Sequence, residues 1–92
     1  MRKNHLGKYL QKRRIKADLT QIEVARKLGY SSAQFISNFE RGLCSPPLKQ
    51  LRKIENMYDI DPCELIKIMM KERQELLEVT FFGRKRSKKA RA

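Results

Sequence analysis

Apolar residues recur at three- and four-residue steps along most of this chain, the period of an amphipathic helix rather than a strand. Leu6 and Leu10 mark a first helix expected over Asn4 to Ala17, with Asn4 as its cap. Thr20-Gln21-Ile22-Glu23 has the form of a capping box and starts a second helix, with Val24, Ala25 and Leu28 inward and Gly29 at its end. After the short turn Tyr30-Ser31, a third helix is expected, capped by Ser31 or Ser32 and closed by Gly42. On a helical wheel centred on Ile36, Phe39, Ser32 and Glu40 fall inward. Gln34, Ser37, Asn38 and Arg41 gather on the opposite face, and Phe35 lies on the flank and is read as core.

Pro46 and Pro47 suit the start of a fourth helix, in which Leu48, Leu51, Ile54 and Tyr58 read as core. Asp61, Pro62 and Glu64 give a fifth helix an Asp-led capping box, with Leu65, Ile68 and Met69 inward. The helical pattern can run on through Glu72, Leu76 and Leu77, whereas Val79 to Phe82 carries the only hint of strand-like alternation. The expected fold is all-α, five compact helices over residues 1–70, followed by an extension over 71–83 and a basic tail over 84–92.

Composition narrows the function. Ninety-two residues suit one small domain. Twenty-two Lys and Arg against ten Asp and Glu give a net charge of +12, which calls for a polyanionic partner. The tail holds six of those cations, so residues 1–83 remain basic without it. On the first helix, Lys8, Lys12, Arg13, Arg14 and Lys16 have no acidic neighbour, an arrangement that repels itself unless an anion lies near.

No apolar run is long enough to span a bilayer, and the basic start leads into no signal-like apolar segment, so a cytoplasmic protein is expected. Cys44 and Cys63 are expected to be free, at least partly buried thiols. One histidine, His5, is too few for the usual zinc site or a catalytic triad, and it is given no role. The glycines are isolated, so no phosphate-cradling loop forms. No enzyme activity, metal, cofactor or small-molecule ligand is expected.

Leu19-Thr20-Gln21, Ala25, Leu28-Gly29 and Ile36-Ser37-Asn38-Phe39-Glu40-Arg41-Gly42, followed by Pro46, Leu51, Tyr58, Ile60 and Leu65, resemble the Xre/Cro-type, lambda-repressor-like regulators of phage and bacteria. The resemblance implies a helix-turn-helix at the second and third helices, the third entering the major groove of double-stranded DNA. It implies base reading by Ser32, Ala33, Gln34, Ser37 and Asn38, and phosphate contact by Gln21 and Arg41. Arg14 and Glu40 match a structural ion pair of that family. Lys12 and Arg13 on the first helix, and Lys85 and Arg86 in the tail, are further phosphate candidates on charge alone. The span from Gln21 to Ile36 is one residue longer than usual, which places an insertion in the turn before the third helix.

The reading is therefore a sequence-specific transcriptional regulator, with repression by promoter occupancy the simplest mechanism. Leu76, Leu77, Val79, Phe81 and Phe82 exceed what a five-helix core needs and are candidate dimer contacts. A homodimer would read half-sites about 34 Å apart. Two alternatives stay open: an antitoxin-type regulator that also binds a partner protein, and a non-specific RNA-binding or bridging protein. A toxin or polymerase is the candidate protein partner.

Overall fold

The computed structural model describes residues 4–83; the tail, including Lys85 and Arg86, lies outside the described residues. Five α-helices follow in order: α1 His5–Lys16, α2 Gln21–Leu28, α3 Gln34–Glu40, α4 Leu48–Met57 and α5 Pro62–Phe82. Helix α1 packs against both α3 and α5, and α2 packs against α3. Leu10, Val24, Ile36 and Ile54 fill the centre, joined by Leu6, Ala25, Leu28, Phe39, Leu51, Tyr58, Ile60 and Leu65. All are buried, so each of the five helices contributes to one shared core.

The start of α2 is the capping box the sequence spells. The Glu23 amide donates to Thr20 Oγ1 at 3.2 Å, and the Thr20 amide donates to Glu23 Oε1 at 2.8 Å. These bonds from Thr20 hold the Glu23 carboxyl below its ordinary range. Gly29 ends α2 in the left-handed region at φ +85°.

Several expectations need correction. Helix α3 starts at Gln34, later than a cap at Ser31 or Ser32 would place it, and Ser32 is exposed rather than inward. The Ser32 hydroxyl accepts from the Gln34 amide at 3.2 Å, so it closes a local turn. Leu48, the first residue of α4, is 73% exposed, whereas Leu51 in the same turn is buried. Phe35 is 43% exposed and stacks on Tyr30, ring centroids 4.5 Å apart, covering the turn rather than filling the core. Cys44 and Cys63 are free but exposed, since both stand at helix-entry segments outside the core.

Asp61 caps α5 by accepting from the Cys63 amide, while Glu64 turns away to Tyr9, so no reciprocal box forms. Val79 to Phe82 continues α5 and forms no strand.

Acidic side chains of α5 latch onto α1. The Tyr9 hydroxyl donates to Glu64 Oε1 at 2.7 Å. The Leu6 amide, in the first turn of α1, donates to Glu72 Oε2 at 2.8 Å. His5 Nε2 lies 3.1 Å from Glu75 Oε1, which gives that residue a place the sequence had not assigned. A carboxylate at a helix N-terminus also satisfies the positive end of the helix dipole. Burial, then the bond to Glu64, pushes the Tyr9 hydroxyl up to about 12. The phenol is therefore neutral in the fold throughout the range below its ordinary pKa of 10.0, and the latch is lost only as pH climbs toward the raised value.

A second joint lies at the other side of α1. The Asn4 side chain accepts from the Gly7 amide at 3.0 Å and donates to the Glu40 carbonyl at 2.8 Å. One amide thus satisfies the N-terminus of α1 and the C-terminus of α3. It fits only because both flanking residues are glycine. A Cβ at Gly7 would stand 2.3 Å from Asn4 Oδ1 and 2.5 Å from the Glu40 carbonyl; one at Gly42 would stand 2.7 Å from the Asn4 amide. Gly7→Ala is expected to cost about 1–3 kcal/mol, as overpacking does, despite alanine's better helix propensity. Urea unfolding followed by circular dichroism checks it; a neutral or stabilising result would mean that the joint is loose.

Candidate nucleic-acid interface

Helix α3 is held at its C-terminal end by a buried polar cluster. Glu40 accepts from Arg14 Nε at 2.6 Å, Arg14 Nη2 at 3.2 Å and Gln21 Nε2 at 2.9 Å. Arg14 also donates from Nη1 to the Leu19 carbonyl at 2.7 Å. The cluster ties α1, the α1–α2 connection, α2 and α3 together around one carboxylate. A charge buried this deeply is tolerable only when it is paired and hydrogen-bonded, and this one is both. Ile36 and Phe39, one turn and one residue before it, anchor the same face in the core.

With that face fixed, the opposite face of α3 points outward. Gln34 is exposed, Ser37 and Asn38 are half-buried, and Arg41 is exposed just past the helix end. Gln34 Nε2 donates to Asn38 Oδ1 at 2.9 Å, so the two amides are linked one turn apart. The link leaves the Asn38 amide's donors and the Gln34 carbonyl to face outward chemistry as a donor–acceptor set. Ser32 and Ala33 precede the helix, the first exposed and the second half-buried. Gln21 opens α2, but its side chain reaches Glu40.

Lys12 is exposed on α1. Arg13 is engaged elsewhere: its Nη2 donates to the carbonyls of Tyr58 and Asp59, closing the end of α4. The structure therefore brings Gln34, Ser37, Asn38 and Arg41 to one surface, and it draws Gln21 and Arg14 onto Glu40.

Charge is unevenly divided over the fold. Residues 4–57 hold eleven Lys and Arg against four Asp and Glu, whereas residues 58–83 hold three against six. The half that carries α2 and α3 is strongly basic, and the half made mostly of α5 is mildly acidic. A polyanion is attracted most strongly to the first; the second regains a positive balance only through the six cations of the tail that follows it.

The helix-turn-helix family model matches residues 10–65, more than half of the chain and all of α2, α3 and α4. The chain belongs to the lambda-repressor-like helix-turn-helix family. No curated protein and no solved structure matched in the parallel comparisons. As a member of this family, the protein is a DNA-binding helix-turn-helix regulator, and its α2–α3 pair is the motif itself. Among the described residues, this helix-turn-helix protein has no helix long and apolar enough to cross a membrane.

Sequence reasoning missed three connections that shape the interface: Asn4 to Glu40, Gln21 to Glu40 and Arg13 to the end of α4. Their partners lie 36, 19 and 45 or 46 residues away, beyond any local spacing rule.

Proposed function

We propose that this protein is a sequence-specific regulator that reads duplex DNA in the major groove with α3 and represses by occupying its site. The observation that carries the reading is the linked Gln34–Asn38 pair on the outer face of a helix locked to the core through Glu40. A bidentate amide matches the adenine edge, which offers one acceptor and one donor in the major groove. Linking the two side chains fixes their rotamers before DNA arrives, which lowers the ordering cost of contact. Ser37 lies beside them, and Ser32 and Ala33 precede them at the groove entrance. Lys12, Arg41 and the start of α2 at Gln21 serve the phosphates, as do Lys85 and Arg86 of the tail.

Selection from a random duplex library at about 150 mM salt tests the reading, since exposed charges are then screened as in a cell. The expected outcome is an enriched motif containing adenine. Asn38→Ala should lower affinity for that motif about tenfold to a hundredfold while leaving binding to unrelated duplex unchanged. Failure of any sequence to enrich, with binding retained at low salt, would end the claim and favour a non-specific nucleic-acid binder.

A further inference from the structure

The turn between α2 and α3 carries a ladder of three aromatic rings. Gly29 closes α2 with two bonds: its own amide donates to the Arg26 carbonyl at 3.1 Å, and the Tyr30 amide donates to the Ala25 carbonyl at 2.9 Å. This paired closure fixes where Tyr30 leaves the helix. The Tyr30 ring meets the buried Phe39 edge to face, with centroids 6.0 Å apart and planes at 63°. It also receives Phe35 in a stack, with centroids 4.5 Å apart and planes only 14° from parallel. The rings thus run from buried Phe39 through half-buried Tyr30 to exposed Phe35.

Phe35 is the second residue of α3, next to Gln34 in the chain and three residues before Asn38. On an ideal helix it lies about 60° from Asn38, on the flank of the outward face. Side chains three apart on a helix stand about 5–6 Å from each other, so the exposed ring and the Asn38 amide serve one surface. The N-terminal end of a recognition helix is the part that meets base edges. A large apolar side chain placed there has one apolar group to meet in a groove of donors and acceptors, the 5-methyl of thymine. Stacking on Tyr30 holds the ring in one orientation, so little freedom is lost on contact. Successive bases rise about 3.4 Å, and the spacing from Asn38 therefore keeps that methyl within two base pairs of the adenine it reads.

We propose that Phe35 is a specificity-determining residue that reads the 5-methyl group of a pyrimidine within two base pairs of that adenine. Thymine carries this group, and so does 5-methylcytosine. The assignment rests on the reading of α3 as the helix in the major groove. It adds an apolar contact to the amide contacts of Gln34 and Asn38. It also makes binding sensitive to cytosine methylation wherever a site has cytosine in place of that thymine.

Parallel selections by the full chain from two random duplex libraries test it, at about 150 mM salt. One library contains thymine and the other uracil throughout, because uracil lacks only the methyl. The thymine library should yield a motif with thymine fixed near the adenine, and the uracil library the same motif with that one position relaxed. On the motif duplex, uracil at that position should weaken wild-type binding about threefold to tenfold, as loss of one buried methyl does. Cytosine there should be bound more tightly with its 5-methyl group than without, by about the same factor. Phe35→Ala and Phe35→Gln should bind the thymine and uracil duplexes alike, with unchanged circular dichroism because the position is exposed. The wild-type comparison needs no folded variant and can overturn the assignment by itself. Uracil bound as tightly as thymine at every position, methylated cytosine bound no better than cytosine, or a uracil penalty that persists in the folded variants would overturn it and leave the operator reading standing. No motif from either library would overturn the operator reading and the assignment together.

Discussion

Replacing Glu40 with alanine is expected to destabilise the fold by about 3–5 kcal/mol, because Arg14 is left charged and buried with no carboxylate. Arg14 Nε loses its 2.6 Å partner, and the Gln21 amide loses its acceptor at the same stroke. Domains of this size hold only about 5–15 kcal/mol in all, so a large part of the margin disappears. Thermal unfolding should fall by roughly 15–30 °C. A double replacement, Arg14→Met with Glu40→Leu, should recover most of that loss, since two apolar side chains carry no desolvation penalty. Its DNA binding should nonetheless be poorer than its stability suggests, because the carboxylate also sets the position of α3. A loss below about 1 kcal/mol for Glu40→Ala would show that the cluster is far more hydrated than its burial indicates.

Ending the chain at Gly83 is expected to flatten the salt dependence of DNA binding without changing sequence preference. The truncation removes six of the 22 basic residues. Each phosphate neutralised contributes about 0.9 to the slope of log affinity against log salt, so the slope should fall by up to about 5. Between 50 and 200 mM salt, that amounts to up to about a thousandfold difference in how much affinity is lost. Titrations of both chains on one duplex, at several salt concentrations, measure it directly. An unchanged slope would mean that the tail's cations do not reach the phosphates.

The core was legible in the sequence where periodicity and local chemistry agreed. Leu10, Val24, Ile36, Leu51 and Ile54 repeat at helical spacing and are buried, and Thr20 with Glu23 announces α2 through bonds only three residues apart. The start of α3 was not legible, because a serine hydroxyl can close a local turn as readily as it caps a helix, and Ser32 does the former. Leu48 shares its period with Leu51 and Ile54, yet the wheel carries no information about whether a neighbouring element covers the first helical residue. At the interface, the outward face of Gln34 and Asn38 followed from placing Ile36 inward. The cluster around Glu40 is different: its partners were partly named by family resemblance, but the arrival of Gln21 depends on tertiary packing. The α5 carboxylates on α1 escaped notice for the same reason: Glu64 was assigned to the capping box of its own helix, and Glu72 and Glu75 carry no local signal of a partner on α1.

Within residues 4–83, the segregation of charge between the two halves gives the folded body an electric dipole in addition to its net charge. In the field of a duplex such a dipole feels a torque, so the basic half swings toward the DNA before any contact is made. A larger fraction of collisions then begins with the helix-turn-helix half leading, and the benefit falls on the association rate rather than on the lifetime of the complex. Neutralising acids of α5 would raise the net positive charge and yet reduce this alignment.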